Sequence, residues 1–160
     1  MKILFLHGLE SKPGGTKACF LESKGHIVLN PALPKTSFLE SVQIAQDVID
    51  KEQPDIVVGS SRGGAVAMSV NTVNAPRVLI APAWKRYLDQ DQLDAWDIRC
   101  EPQNTIILHS ENDGVIPISE SVALQDMHGI KLIRVGDNHR MSGTDALEAL
   151  EDVVKWLGGR

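Results

Sequence analysis

The sequence predicts an α/β fold of three layers, in which helices cover both faces of a mainly parallel sheet of about six strands. Short, continuous runs rich in Ile, Val and Leu suit strands that are buried on both faces. They alternate with segments of helical periodicity, and this alternation is typical of repeated βα units. With 160 residues and 42% hydrophobic content, the chain is long enough for a core of its own. We therefore predict a single domain over residues 1–160.

The individual elements follow from these runs and from capping residues. Six strands are predicted, at 2–7, 26–30, 55–60, 77–82, 105–110 and 131–135. Five helices are predicted, at 16–24, 37–52, 63–73, 119–127 and 142–157. Ser142 is the expected cap of the last helix. The stretch 83–104 fits neither pattern, so we expect at most a small cap over the sheet edge there.

Composition excludes several classes of function. The net charge of −5 argues against nucleic acid or an anionic membrane surface as the main partner. No apolar run approaches the roughly 18–20 residues that span a bilayer, and the short first run is unlike a secretory leader. Two isolated cysteines, Cys19 and Cys100, make neither a disulfide framework nor a zinc site, and histidines and carboxylates do not cluster at metal-ligand spacing. We expect a cytoplasmic protein without a metal; the sequence does not indicate its oligomeric state.

The segment that carries chemistry is the turn Gly59-Ser60-Ser61-Arg62-Gly63, between a predicted strand and a predicted helix. The spacing G-x-S-x-G places Ser61 at the apex of a nucleophile elbow, where a tight backbone leaves no room for Cβ atoms two residues away on either side. The alternative is a glycine-rich turn that binds phosphate through its backbone amides. The turn lacks the G-x-x-x-x-G-K-[ST] pattern, which favours the nucleophile.

A serine nucleophile needs a base and an acid that orients the base. Asp113 follows the fifth predicted strand, and His139 lies in the loop after the sixth. Both therefore come after the carboxyl ends of strands, where open α/β sheets bind ligands. Four further aspartates compete with Asp113 for the role of the acid; they are Asp89, Asp91, Asp94 and Asp97. Asp137 lies too close to His139 in the sequence to be its natural partner. The remaining histidines lack the position of His139; they are His7, His26, His109 and His128.

Acyl transfer also needs backbone donors that bind the oxyanion as it forms, and the sequence offers two candidates. The first strand runs into His7-Gly8-Leu9, and the backbone N–H groups of Leu9 and Arg62 are the candidate donors. Losing one such donor typically costs about 3–4 kcal/mol of transition-state stabilisation.

Taken together, the HG turn at 7–8, GSSRG at 59–63, DGVIP at 113–117 and the histidine loop around 139 resemble a small α/β-hydrolase of the serine-esterase type. The resemblance spans nearly the whole chain. It implies a serine hydrolase with Ser61, Asp113 and His139 as its triad, a small-molecule acyl substrate and no cofactor. Ester, thioester and peptide bonds remain open, because all use the same triad. A catalytically silent hydrolase used as an interaction module, and a phosphate-binding or flavodoxin-like module, also remain open.

Substrate contacts are harder to assign. Trp84, Tyr87 and Trp96 fit packing in the core or a cap better than substrate binding, yet they and Met141 are the best candidates for an apolar acyl pocket. The side chain of Arg62 could bind a substrate carboxylate, but we expect it to be solvated.

Overall fold

The structure, a computed structural model, describes residues 1–88 and 99–160. Its sheet runs in the order β2-β1-β3-β4-β5-β6, and every neighbouring pair is parallel. The strands are β1 (Lys2–Leu6), β2 (Ile27–Leu29), β3 (Ile56–Ser60), β4 (Arg77–Ile80), β5 (Thr105–His109) and β6 (Lys131–Arg134). The predicted parallel sheet of six strands is confirmed, and each strand lies within its predicted range.

Helices cover both faces of this sheet. In the described residues they are α1 (Thr16–Ser23), α2 (Phe38–Glu52), α3 (Arg62–Ser69), α4 (Trp84–Tyr87), α5 (Ile118–His128) and α6 (Thr144–Gly158). Strand side chains alternate between the two faces: Leu4 belongs to a hydrophobic cluster with residues of α2, α3 and α5, whereas its neighbour Ile3 belongs to a second cluster with residues of α1 and α6. The result is the predicted three-layer α/β architecture.

Two predicted helix boundaries are wrong. Helix α3 ends at Ser69 rather than at 73, because Val70 is extended and its carbonyl oxygen accepts a hydrogen bond from Arg77 Nη2 at 2.8 Å. The last helix is capped by Gly143 without a side-chain hydrogen bond, so Ser142 is not its cap. Both boundaries depend on tertiary contacts or local backbone geometry that the apolar pattern does not contain.

The irregular stretch 83–104 is described only in part. Helix α4 occupies its start, and a 3-10 turn at Pro102–Asn104 leads into β5. Residues 89–98, which include Trp96 and the four aspartates that compete with Asp113, lie outside the described residues, so the small cap stays a prediction. Within residues 1–88 and 99–160 no helix has the length and apolar character needed to cross a membrane.

Candidate active site

The turn between β3 and α3 forces Ser61 into an unusual conformation. Its φ of 54° and ψ of −116° lie in a region that L-residues rarely adopt. A Cβ on Gly59 would lie 2.3 Å from the carbonyl oxygen of Gly63, and a Cβ on Gly63 would lie 2.0 Å from that of Leu6. Neither position tolerates a side chain, because the atoms that it would meet are backbone. Close packing of β1, β3 and α3 therefore holds Ser61 at the tip of the turn.

The structure brings Ser61, Asp113 and His139 together from three separate loops. Ser61 Oγ lies 3.0 Å from His139 Nε2, and His139 Nδ1 lies 2.7 Å from Asp113 Oδ2. An ionised carboxylate can only accept, so the short bond places the proton of a neutral His139 on Nδ1. Nε2 is then free to accept the hydroxyl proton of Ser61. The Asp113 side chain is fully buried, whereas that of His139 is 21% exposed.

The environment of Asp113 keeps it ionised. Burial acts to raise its pKa, but hydrogen bonds from His139 and from the N–H groups of Ile116 and Val115 outweigh burial and lower the pKa below its ordinary value. Both backbone bonds end on Oδ1 at 2.8 Å. Oδ2 is therefore left for side-chain donors, of which His139 is the nearest.

The turn after β1 lies directly against the elbow. A Cβ placed on Gly8 would be 3.4 Å from Cβ of Ser61. His7 Nε2 accepts the N–H of Leu33 at 3.0 Å, so its Nδ1 carries the proton and donates to the carbonyl of Gly8 at 2.8 Å. In a trans peptide the N–H points away from the C=O. The Leu9 N–H, in the same peptide group as that carbonyl, is therefore turned away from His7.

Arg62 differs from the expectation for its side chain. The residue is 2% exposed, so the expected solvated arginine is wrong. Its Nη2 donates to the carbonyl of Pro34 at 2.8 Å, and its guanidinium carbon lies 5.7 and 5.5 Å from the ring centroids of Phe38 and Tyr87. The two rings stack at 5.1 Å. Aromatic faces thus take the place of water around this cation.

The other candidate substrate contacts differ in exposure. Trp84 and Met141 are each 2% exposed and lie in the hydrophobic clusters on opposite faces of the sheet. The Trp84 indole N–H donates to the carbonyl of Glu120 at 3.0 Å, which gives it a place in the core. Tyr87 is only half-buried. Of these three residues, we keep Tyr87 alone in the candidate substrate site.

Two features near the triad were not predicted from the sequence. His109 is fully buried and contacts Asp113 with Nε2 at 3.1 Å. Lys17 on α1 donates a hydrogen bond to the carbonyl of Arg140, the residue after His139. Burial and then the charge of Arg140 lower the pKa of Lys17 to about 8. The position of His109 four residues before Asp113 was a usable signal; the contact of Lys17 across 123 residues was not.

Two surface clefts lie at the other end of the sheet, near the residues that precede β3 and β4. They have volumes of about 400 and 490 Å³ and share the loop 72–75. None of the triad residues lines either cleft. In residues 1–88 and 99–160, no group of three His, Cys, Asp or Glu side chains is arranged to hold a metal ion.

Comparison with solved structures identifies the fold. A protein from Xanthomonas campestris pv. campestris, described as a hydrolase of the alpha/beta superfamily, superposes on this chain with a TM-score of 0.77. The two are 20% identical, and the superposition covers 99% of this chain and 98% of that one. The esterase domain of a Rhodothermus marinus protein gives 0.71 at 18% identity, covering 99% and 86%. Est1E from Butyrivibrio proteoclasticus gives 0.71 at 16% identity, covering 97% and 85%.

Sequence comparison adds nothing to this, because no family model matches the chain. No curated protein matches it significantly either. The structural likeness spans almost the whole chain, however, and the structures that it finds are α/β-hydrolases. The chain therefore has the α/β-hydrolase fold, in a small form with six parallel strands.

Proposed function

We propose that this protein is a serine hydrolase that cleaves a carboxylic ester or a related acyl bond through an acyl-enzyme. The observation that carries the proposal is the continuous hydrogen-bonded path from Ser61 Oγ through His139 to Asp113 Oδ2, at 3.0 and 2.7 Å. Acyl transfer by a serine requires this arrangement: an exposed serine hydroxyl, a base hydrogen-bonded to it, and a carboxylate hydrogen-bonded to the base.

In the proposed mechanism, Ser61 Oγ attacks the substrate carbonyl while His139 Nε2 takes its proton. Asp113 holds His139 with its proton on Nδ1 and stabilises the imidazolium that forms. The N–H groups of Leu9 and Arg62 bind the oxyanion. His139 then gives its proton to the leaving group, and the acyl group stays on Ser61 until water, activated by the same histidine, releases it.

The structural neighbours support an ester as the bond that is cleaved. Their names include an esterase domain, and Est1E has been solved with ferulic acid bound. Identities of 15–20% show only the fold, and the triad is the same for esters, thioesters and peptides, so the choice of an ester is part of the proposal. A short or exposed acyl group is the substrate that would fit the small cap predicted within residues 83–104.

A substrate panel tests the proposal. Purified protein is given p-nitrophenyl acetate, butyrate and octanoate, an acyl thioester and a peptide amide. We expect turnover of the short esters, no turnover by Ser61→Ala, and unchanged turnover by Ser119→Ala, which alters an exposed serine on α5. Faster cleavage of the thioester or the amide would reassign the substrate class. Absence of turnover on every substrate by folded protein would favour a catalytically silent interaction module.

A further inference from the structure

His109 is the last residue of β5, and both nitrogens of its buried ring are occupied. Nε2 lies 3.1 Å from Asp113 Oδ2 and 3.0 Å from the carbonyl oxygen of Ile116. Nδ1 lies 2.7 Å from Oγ of Ser121 on α5. The ring therefore connects the carboxylate of the proposed triad to the helix behind it.

These contacts select one tautomer of His109. The carbonyl of Ile116 and the ionised Asp113 can only accept hydrogen bonds, so Nε2 must carry a proton. Ser121 is able to donate its hydroxyl proton, and it does so when Nδ1 is bare. Burial lowers the pKa of His109, whereas the contacts with Ile116 and Asp113 raise it. Burial outweighs them, and the lowered pKa favours the neutral ring. His109 is thus a neutral ring that offers one N–H, on Nε2.

The same carboxylate oxygen receives both histidines. Oδ2 of Asp113 accepts from His139 at 2.7 Å and from His109 at 3.1 Å, while Oδ1 accepts two backbone N–H groups. The backbone bonds restrain one oxygen only. The bond from His109 adds a second fixed direction at Oδ2, the oxygen that orients the base.

We propose that His109 is a positioning residue, which acts through Asp113 to keep Oδ2 aligned with Nδ1 of His139. This inference rests on the proposed function, in which His139 is the general base. His109 does not touch the substrate, and Ser121 supports it by fixing its tautomer. The hydrogen-bonded path then has five members, Ser61, His139, Asp113, His109 and Ser121.

Two substitutions separate positioning from packing. His109→Gln keeps an N–H donor at about the place of Nε2, whereas His109→Leu fills similar space without a donor. A hydrogen bond to a charged group is worth roughly a factor of 10 or more. In His109→Leu we expect kcat to fall at least about tenfold with KM within twofold of the wild type, and in His109→Gln we expect most of kcat to return.

His26→Leu is the matched control. It also removes a buried histidine that binds a carboxylate, since His26 Nε2 lies 2.9 Å from Glu151 Oε2, but that pair joins α6 to the residue before β2, away from Ser61. We expect His26→Leu to lower the melting temperature and leave kcat unchanged. If His109→Leu does the same, His109 only packs, and the inference is wrong.

An NMR readout does not depend on activity, and its first part uses the wild type alone. In ¹⁵N-labelled wild type at neutral pH, the ring nitrogens of His109 should report a neutral ring with its proton on Nε2. Finding the proton on Nδ1, or an imidazolium, would overturn the inference. The Nδ1 proton signal of His139 should weaken or move upfield in His109→Leu and stay in His109→Gln; an unchanged or downfield signal in His109→Leu would also overturn it.

These measurements keep the two proposals apart. If wild type hydrolyses none of the substrates but the NMR results hold, the proposed function fails while the positioning of Asp113 by His109 stands. If hydrolysis is normal and His109→Leu retains the wild-type kcat, the proposed function stands and the positioning role fails.

Discussion

Nδ1 of His139 lies 2.7 Å from Oδ2 of Asp113, although 26 residues separate them in the chain. The contact joins the loop after β5 to the loop after β6, the neighbouring strand at the edge of the sheet. Among the residues that the structure describes, the four groups that bind the carboxylate of Asp113 are all donors: two side-chain N–H groups at Oδ2 and two backbone N–H groups at Oδ1. Only a carboxylate satisfies all four donors at once.

Asp113→Asn should therefore lower kcat strongly. The amide has one acceptor end and one donor end. Its NH₂ group must therefore point either at the two backbone N–H groups or at the two histidine N–H groups, and in both cases donor meets donor. His139 can relieve that conflict by taking its other tautomer, which puts the proton on Nε2 and removes the base. We expect kcat to fall by about 10³–10⁴-fold with little change in KM, measured by steady-state kinetics on the best ester.

The control for this substitution is Asp137→Asn, which alters an exposed aspartate two residues before His139. Its activity should stay within about threefold of the wild type, as for most exposed changes away from a site. A strong loss of activity in Asp137→Asn, with Asp113→Asn nearly unaffected, would mean that the orienting acid has been assigned to the wrong residue.

The glycines of the elbow should differ sharply from a glycine in an open loop. In Gly63→Ala the new methyl group meets the backbone of Leu6 and His7 at 2.0–2.7 Å, so β1 and α3 must separate. Gly114→Ala meets nothing within 4 Å. By urea unfolding we expect a loss of about 3 kcal/mol or more, or no folding, for the first and a change within about 0.5 kcal/mol for the second. Equal effects would contradict the close packing of the elbow.

The strain at Ser61 should be measurable as stability. A non-glycine residue at φ 54° and ψ −116° is disfavoured by about 1–3 kcal/mol, whereas glycine adopts this conformation readily. After allowing for the greater freedom of glycine in the unfolded chain, Ser61→Gly should be more stable than Ser61→Ala by about 1 kcal/mol in thermal or urea unfolding. A less stable Ser61→Gly would show that the elbow is not strained.

Lys17 should contribute a pH dependence to stability above neutrality. Its pKa is lowered from 10.5 to about 8 in the folded chain, by burial and then by Arg140. Between these two values the unfolded chain binds more protons, so the free energy of unfolding rises with pH. Below pH 8 Lys17 is protonated in both states, and its contribution to the free energy of unfolding is at its least favourable. That contribution rises between pH 8 and about 10.5 and is constant above it.

The comparison is between wild type and Lys17→Met in urea at pH 7.5, 9 and 10. Wild type should gain stability relative to the variant as pH rises, by about 1 kcal/mol for this half-buried group. A difference that stays constant or moves the opposite way would show that Lys17 keeps an ordinary affinity for its proton in the folded chain.

The sheet and the arrangement of Ser61, Asp113 and His139 could be predicted because each depends on a local pattern. Continuous apolar runs mark buried strands, two glycines mark the elbow, and polar residues after parallel strands meet at one edge. The catalytic roles of the three residues remain a prediction. The burial of Arg62 was missed because it depends on distant segments: Pro34, Phe38 and Tyr87 surround its guanidinium and lie far from it in the sequence.

The most direct test of the central claim is intact-mass spectrometry after treatment with a fluorophosphonate, which reacts with activated serines. Wild type should gain the mass of one adduct, and Ser61→Ala, shown to be folded by circular dichroism, should gain none. An adduct of equal yield on Ser61→Ala would place the reactive group elsewhere. Absence of an adduct on folded wild type would contradict the account of Ser61 as an activated nucleophile.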